Sequence, residues 1–233
     1  MNRKRINIAV DGHSSSGKST LAQQVARALH YTYIDTGAMY RAATLFAMKE
    51  RLVTPTEVNT KGLEQALDRM YLQFRFNPAS AASEIHLNGV NVEKEIRNME
   101  VAKRVSLVAT VPAVRKKLVT LQQRMAEDGG VIMDGRDIGT VVLPDAEIKF
   151  FLTASPQVRA QRRHAELTAA GKTTTYDEVL ENLLLRDRID STRSTAPLRQ
   201  ADDAIVLDNS DLTLDEQFDF MVATVRKKLE LFA

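Results

Sequence analysis

The sequence contains no cysteine and no tryptophan, and only 6% of its residues are aromatic. Without cysteine, disulfides and a cysteine-ligated zinc site are excluded. The 32 basic and 30 acidic residues give a net charge of +2, so the chain has no overall electrostatic attraction for nucleic acid. The low aromatic content also disfavours a protein that stacks single-stranded bases. We therefore expect small-molecule chemistry and no nucleic-acid partner.

Long hydrophobic runs are missing as well. No apolar stretch approaches the roughly 20 residues of a membrane-spanning helix. The basic start is followed by a short strand and a polar loop, which is not the pattern of a signal peptide. The 233 residues, 44% of them hydrophobic, can still bury a core in one large or two small domains. We expect a cytoplasmic protein with no membrane partner, and a monomer by default.

The most informative pattern is Gly-His-Ser-Ser-Ser-Gly-Lys-Ser at residues 12–19, which fits G-x-x-x-x-G-K-[ST]. An apolar segment at 6–10 predicts a buried strand before it, and the spacing of Leu21, Val25 and Leu29 predicts a helix after it. Because strand, lysine and helix are in register, a chance match in a serine-rich loop is disfavoured. The backbone N–H groups of such a loop and the helix dipole attract phosphate. The predicted ATP-binding loop residues are Gly12, His13, Ser14, Ser15, Ser16, Gly17, Lys18, Ser19 and Thr20.

Two further apolar segments are followed by polar residues of interest. Ligands bind at the carboxyl ends of strands in an open α/β sheet. A strand predicted at 31–35 leads to Thr36 and Arg41, and an arginine there either clamps a second phosphate or is a solvated helix residue. A strand predicted at 131–133 leads to Asp134-Gly-Arg136-Asp. A carboxylate directly after a strand is where a P-loop protein holds Mg²⁺, usually through water, so Ser19 and Asp134 are the candidate metal residues.

The region 60–106 interrupts the alternation of strands and helices. Residues 71–76 and 85–87 alternate apolar and polar side chains, and Asn88-Gly89 predicts a type I′ hairpin. A small antiparallel sheet inserted into a parallel-sheet protein is typical of a substrate-binding lobe, and a dimerisation flap is the alternative.

The region of about 155–193 is a candidate lid. Ser155-Pro156 predicts a helix start, residues 171–175 form a flexible break, and Thr175-x-x-Glu178 predicts a capping box for the next helix. If that helix persists, Arg186, Asp190 and Arg193 share one face. A surface salt-bridge ladder is the alternative interpretation of this face.

The P-loop, D-T-G-A-M-Y-R at 35–41, the inserted lobe, D-G-R-D at 134–137 and R-D-x-x-D-x-x-R at 186–193 together resemble bacterial cytidylate kinase. The resemblance runs from residue 6 to about residue 231. It implies an α/β P-loop NTPase fold with a five-stranded parallel sheet flanked by helices. The implied core is 1–59 and 107–233, with a helical lid at about 155–193 and an antiparallel insert at 60–106 that binds the nucleoside monophosphate.

The resemblance also implies the activity, which is transfer of the γ-phosphoryl group of ATP to CMP or dCMP with Mg²⁺ as cofactor. Lys18, Arg136 and Arg186 would be catalytic, and Arg162 would join the ATP site from the lid side. Thr36 and Arg41 would face the acceptor's ribose and phosphate. The full set of implied CMP-binding residues is Thr36, Arg41, Ser106, Arg115, Asp137, Asp190 and Arg193.

Two positions depart from the P-loop that is common in this family, because His13 and Ser15 stand where proline and glycine are usual. Thr36 stands where serine is frequent and keeps the hydroxyl. Another small-molecule P-loop kinase, acting on UMP, AMP or shikimate, remains an alternative. A GTPase switch protein or ATPase is less favoured, because the sequence has no N-K-x-D element to recognise guanine.

Overall fold

The computed structural model describes residues 5–79 and 82–231, which divide into two compact units. One unit runs from residue 34 to residue 124, and the other combines the described chain on both sides of it. The strands are β1 (Ile8–Gly12), β2 (Thr32–Asp35), β3 (Leu72–Asn77), β4 (Ala82–Leu87), β5 (Val90–Asn91), β6 (Val131–Gly135), β7 (Ile148–Thr153) and β8 (Ile205–Asp208). The helices are α1 (Lys18–Leu29), α2 (Thr36–Lys49), α3 (Thr60–Ala66), α4 (Met99–Val108), α5 (Pro112–Met125), α6 (Pro156–Ala169), α7 (Tyr176–Thr192) and α8 (Leu214–Glu230).

A five-stranded parallel sheet in the order β2-β6-β1-β7-β8 confirms the predicted fold class. The central strand β1 is buried along its whole length, as parallel strands covered on both faces are. It pairs with β6, where Asp11 lies opposite Gly135, and with β7, where Gly12 lies opposite Leu152. The P-loop therefore begins in the middle of the sheet, and the D-G-R-D segment ends the neighbouring strand.

The hydrophobic core of this unit lies between the sheet and the helices α1 and α8. Leu21 and Val25 of the predicted helix stripe are fully buried, as are Ile8 on β1 and Met221 on α8, and Leu29 packs against the same cluster. Because α1 is held by its apolar face, its N-terminal turn is fixed at the end of β1.

The predicted helix starts in the second half of the chain are confirmed. Ser155 caps α6 with Pro156 in the first turn, and Thr175 forms a capping box with Glu178 at the start of α7. Helix α7 continues to Thr192, so Arg186 and Asp190 are helical and Arg193 is the C-cap residue. Across residues 5–79 and 82–231, no helix has both the length and the apolar character to cross a membrane.

The unit of residues 34–124 contains α2 to α5 and a separate antiparallel sheet in the order β3-β4-β5. Asn88 and Gly89 connect β4 to β5 with φ values of 49° and 84°. Two positive φ values are the signature of a type I′ turn, so the predicted hairpin is confirmed. The function of residues 60–106 as a lobe for the acceptor stays a prediction.

Candidate active site

The P-loop requires glycine at its first position. Gly12 has φ +146°, and a Cβ atom there would lie 2.0 Å from the carbonyl oxygen of Leu152 on β7. At the other end, Gly17 (φ +85°) precedes α1, and no side chain among the described residues caps this helix. The N–H groups of the first turn thus carry the positive end of the helix dipole toward the loop, which suits a phosphate.

Ser15 also has a left-handed backbone, with φ +58°. Such a conformation costs an L-residue other than Asn or Asp about 1 kcal/mol, while glycine adopts it freely. The physical reason for the usual glycine at this position is therefore visible in the loop, and serine keeps the same conformation at a small cost.

Lys18 is buried behind the loop and donates hydrogen bonds to the carbonyl oxygen of His13 (2.5 Å) and to Ser16 Oγ (3.3 Å). Burial, followed by the positive charge of Arg136, lowers the pKa of Lys18 to about 7, although nearby carboxylates raise it. Lys18 at the start of α1 and Arg136 directly after β6 are thus held close together. An incoming polyanion would relieve their repulsion and favour the protonated lysine.

Asp11 joins the strand before the loop to the chain after β6. Its two carboxylate oxygens accept hydrogen bonds from the backbone N–H groups of Ile138 (2.8 Å) and Gly139 (2.7 Å). These residues begin a buried π-helical turn, Ile138–Val142. Burial raises the pKa of Asp11 to about 6, against the lowering effect of the two hydrogen bonds. The turn that follows Asp137 is thereby fixed relative to the P-loop.

The candidate metal residues are adjacent. Ser19 Oγ donates a hydrogen bond to Asp134 Oδ2 (2.7 Å), and the Tyr33 hydroxyl donates to the other oxygen, Oδ1 (2.8 Å). A hydroxyl and a carboxylate are hard oxygen donors of the kind that Mg²⁺ prefers alongside water and phosphate oxygens. The residues present therefore fit the ion.

The D-G-R-D segment and α7 meet through two charged pairs. Arg136 Nε donates to Asp190 Oδ2 at 2.9 Å, and Arg193 Nη2 lies 3.6 Å from Asp137 Oδ1. Burial opposes the charge of Arg136, but the carboxylate of Asp190 raises its pKa above the ordinary value. Arg186 lies one helical turn before Asp190, on the same face of α7. Four predicted site residues are thus brought together, and Arg186 lies on the same helix face as one of them, Asp190.

Arg162 on α6 is anchored to the end of β8. Its guanidinium donates to the side-chain and backbone oxygens of Asn209, at 2.9 and 2.8 Å. Asn209 is fully buried, and its Nδ2 donates to the carbonyl oxygen of Ser16 and to Gln217 Oε1, both at 2.8 Å. This asparagine connects the P-loop to α6 and α8.

In the unit of residues 34–124, Asp35 organises the start of α2. One carboxylate oxygen accepts from the N–H of Ala38 (2.7 Å), and the other accepts from Arg41 (3.0 Å) and Arg97 (2.9 Å). Burial acts to raise the pKa of Asp35, but the two guanidinium groups and the helix N–H hold it below its ordinary value. Thr36, the first residue of α2, is buried beside this cluster.

Two further residues that were predicted to bind the nucleoside monophosphate belong to the same unit. Arg115 is buried on α5, with its guanidinium 5.5 Å from the centre of the Tyr40 ring and Nη1 donating to the carbonyl oxygen of Ala109 (3.4 Å). Ser106 is buried on α4. Arg115 therefore lies against α2, the helix that carries Arg41.

Comparison with known proteins agrees with this geometry. The family model described as cytidylate kinase matches residues 8–227. The chain belongs to the cytidylate kinase family. A cytidylate kinase from Parabacteroides distasonis is 54% identical over 97% of this chain and 99% of its own length. Those of Flavobacterium johnsoniae and Phocaeicola vulgatus are 52% and 51% identical, each over 92% of this chain and over 94% and 93% of their own lengths.

The resemblance drawn from the sequence is therefore confirmed, and the roles of individual residues stay predictions. The P-loop, Asp134, Arg136, Asp137, Arg162 and the residues of α7 lie in the unit with the parallel sheet. Thr36, Arg41, Ser106 and Arg115 lie in the unit of residues 34–124.

Several residues that hold the site together were not predicted. Asp35 lies inside a quoted motif, and its position before a helix was an available signal for an N-cap. Arg97 and Asn209 carried no recognisable pattern, because their partners are distant in sequence. The same holds for Arg159 on α6, which is buried and contacts the P-loop.

Proposed function

We propose that this kinase transfers the γ-phosphoryl group of ATP to CMP or dCMP, giving ADP and CDP or dCDP in pyrimidine nucleotide metabolism. The observation that carries the proposal is a pair of neighbouring cations, the buried Lys18 at the start of α1 and the partly exposed Arg136 directly after β6. Such a concentration of positive charge suits the polyphosphate of ATP and the charge that develops during phosphoryl transfer.

The acceptor needs no general base. The second pKa of a phosphate monoester is about 6, so a nucleoside monophosphate is mostly dianionic at pH 7. The barrier is therefore set by bringing two polyanions into line, which positioning and positive charge achieve.

Lys18 would contact the outer phosphates of ATP, and Arg136 would lie against the transferring group. Asp190 holds the Nε edge of Arg136, so the guanidinium is oriented before substrate arrives. Arg186 on α7 and Arg41 on α2 would supply further positive charge, with Arg41 oriented by Asp35. Charges that are already oriented lose little conformational entropy when they act.

When bound, Mg²⁺ would neutralise part of the charge of the phosphate oxygens. In this chain Ser19 Oγ would ligate the ion and Asp134 would accept hydrogen bonds from its water ligands. The Tyr33 hydroxyl keeps Asp134 in place by donating to Oδ1.

Asp137 would select the base. Its carboxylate accepts hydrogen bonds, so it favours the exocyclic amine of cytosine and repels the corresponding carbonyl of uracil. Arg193, 3.6 Å away, neutralises the buried carboxylate. A buried polar mismatch of this kind discriminates by about 10⁴-fold or more, and by less where the site is partly exposed.

The test is ADP release from Mg-ATP with CMP, dCMP, UMP, AMP and shikimate, each against a blank without acceptor. We expect strong signals with CMP and dCMP over a low blank. A strong signal with AMP or shikimate alone would replace the proposed acceptor, and a high blank without acceptor dependence would indicate an ATPase.

Asp137→Asn tests base selection separately. The amide presents a donor where the carboxylate accepts, so the ratio of kcat/KM for CMP to that for UMP should fall by at least about tenfold. Asp145→Asn, an exposed change of the same kind, should leave that ratio unchanged. An unaltered ratio in Asp137→Asn would show that another residue reads the base.

Helices α6 and α7 form the proposed lid, which would exclude water from ATP, and residues 60–106 would grip the acceptor. We expect both to close in a complex with both nucleotides, and a doubly liganded structure with both open would contradict this. We also infer a cytoplasmic monomer, for which light scattering provides the test of oligomeric state.

A further inference from the structure

His13 and Asp187 form a contact that the proposed mechanism does not use. His13 Nδ1 lies 3.3 Å from Asp187 Oδ1. Both atoms are buried and neither makes a hydrogen bond with any described residue, so the polar contact between them is within ion-pair distance only. The imidazole belongs to the P-loop and the carboxylate to α7, so the contact joins the loop to the helix that carries Arg186 and Asp190.

Asp187 has a second partner on α6. Arg159 Nη1 lies 2.7 Å from Asp187 Oδ2 and 3.2 Å from the carbonyl oxygen of Ser14, and Arg159 Nε donates to the carbonyl oxygen of Ala154 (3.0 Å). Arg159 is only 3% exposed. A buried guanidinium that donates to two backbone oxygens and a carboxylate has little freedom to move.

We propose that Asp187 is a positioning residue, which fastens the P-loop to α6 and α7 through Arg159 and His13. Arg159 fixes the loop at Ser14, and His13 fixes it one residue earlier. The inference rests on the proposed function, because it concerns the placement of the ATP-binding loop relative to Arg186 and Asp190.

The chemistry of the contact requires a proton on His13 Nδ1. An imidazole protonated only on Nε2 would direct a lone pair at the carboxylate oxygen, which is repulsive. Burial acts to raise the pKa of Asp187, but His13 and Arg159 hold it below its ordinary value, so the carboxylate stays ionised. An imidazolium donates more strongly to a carboxylate than a neutral imidazole does.

The groups around His13 leave Asp187 as its anionic neighbour. Asp187 of α7 faces the imidazole, and Arg159 of α6 contacts the other oxygen of Asp187. The Lys18 ammonium of α1 contacts the carbonyl oxygen of His13. On β7, the uncharged ring of Phe151 meets the imidazole edge-on, with centroids 6.4 Å apart. The carboxylate is thus the anion nearest to the imidazole among these groups.

The first test measures binding of β,γ-imido-ATP by calorimetry, with no acceptor present. His13→Phe keeps an aromatic ring against Phe151 and leaves the pair of Arg159 and Asp187 intact. The Kd of this variant should be at least about threefold larger than that of wild type, in the range of a partly exposed ion pair. A Kd equal to that of wild type would overturn the proposal.

The second test uses Asp187→Asn and Asp187→Glu. Asp187→Asn should raise the Kd about tenfold or more, because small displacements of a phosphate-binding loop are costly. Asp187→Glu should recover part of the affinity, and Glu181→Gln, an exposed change on the same helix, should have no effect. Equal Kd values for wild type and Asp187→Asn would overturn the proposal.

The set of variants distinguishes a failure to fold from a loss of nucleotide binding. If Asp187→Asn fails to fold, the Kd of His13→Phe still decides. In the double variant His13→Phe/Asp187→Asn, the effect of His13→Phe should vanish, and strict additivity would contradict a direct contact. Because binding of the ATP analogue needs no acceptor, failure of the wild type to phosphorylate CMP would overturn the proposed function and leave this inference standing.

Discussion

The side-chain amide of Asn209 connects the P-loop to helices α6 and α8. The substitution Asn209→Asp replaces the donor group of this amide with an acceptor and hardly changes the shape of the side chain. In the native residue Nδ2 donates to the carbonyl oxygen of Ser16 and to Gln217 Oε1, and Oδ1 accepts from Arg162. In the variant a carboxylate oxygen replaces Nδ2. Two acceptors then face that oxygen at about the van der Waals distance, while the contact with Arg162 is kept.

The expected loss of unfolding free energy follows from these three contacts. Each buried acceptor left without a donor costs about 1–3 kcal/mol, so the two together cost about 2–6 kcal/mol. The new charge gains about 1 kcal/mol or less from Arg162, since that guanidinium is partly exposed. We expect a net loss of about 2–4 kcal/mol, which lowers the urea midpoint by about 1 M and leaves the protein folded.

The same change should weaken nucleotide binding, because the Ser16 carbonyl loses its anchor. Urea unfolding followed by circular dichroism measures the first effect, and calorimetry with β,γ-imido-ATP measures the second. Asp208→Asn is the matched control at the neighbouring exposed position, and should change both quantities little. If Asn209→Asp unfolds at the wild-type midpoint and binds the analogue equally well, the reasoning from the buried amide is refuted.

Two other substitutions should each lower the stability of the protein. Gly12→Ala should destabilise the protein by more than about 3 kcal/mol and abolish ATP binding, since the new Cβ would overlap the Leu152 carbonyl; wild-type stability in urea would contradict this. Asp35→Asn should cost about 2–3 kcal/mol at pH 7, because Arg41 and Arg97 lose their shared carboxylate. Since the folded-state pKa of Asp35 lies below the unfolded value, its contribution is present above about pH 4 and disappears on acidification below it. The stability difference between wild type and Asp35→Asn, measured in urea from pH 7 to pH 3, should therefore shrink, and a constant difference would refute the assignment.

The parallel sheet was predictable because its signals are local. Each buried strand is a short apolar run that ends in a polar or glycine-rich turn, and the helix starts carry side chains that cap within three residues, as at Ser155 and Thr175. The P-loop adds a spacing that few other structures require. Fold class therefore follows from segments that can be interpreted one at a time.

The supporting contacts of the site were not predictable in this way. Asn209 and Ser16 are 193 residues apart, and Arg97 and Asp35 are 62 apart. Neither pair has a spacing rule, because the sheet and helices alone bring the partners together. The π-helical turn after Asp137 is another example, since its first N–H groups are satisfied by Asp11 on a different strand.

The local arrangement of charge explains why the net charge of the chain did not indicate that its ligands are polyanions. Arg41, Arg136 and Arg193 each lie against a carboxylate, Asp35, Asp190 and Asp137 respectively. These pairs keep the chain near neutrality while holding the guanidinium groups in fixed orientations. A fixed cation stabilises a transition state at little entropic cost, and its carboxylate partner limits how tightly the charged product is held. A chain of net charge +2 can therefore bind two polyanions, because the local placement of its cations matters and their excess over anions does not.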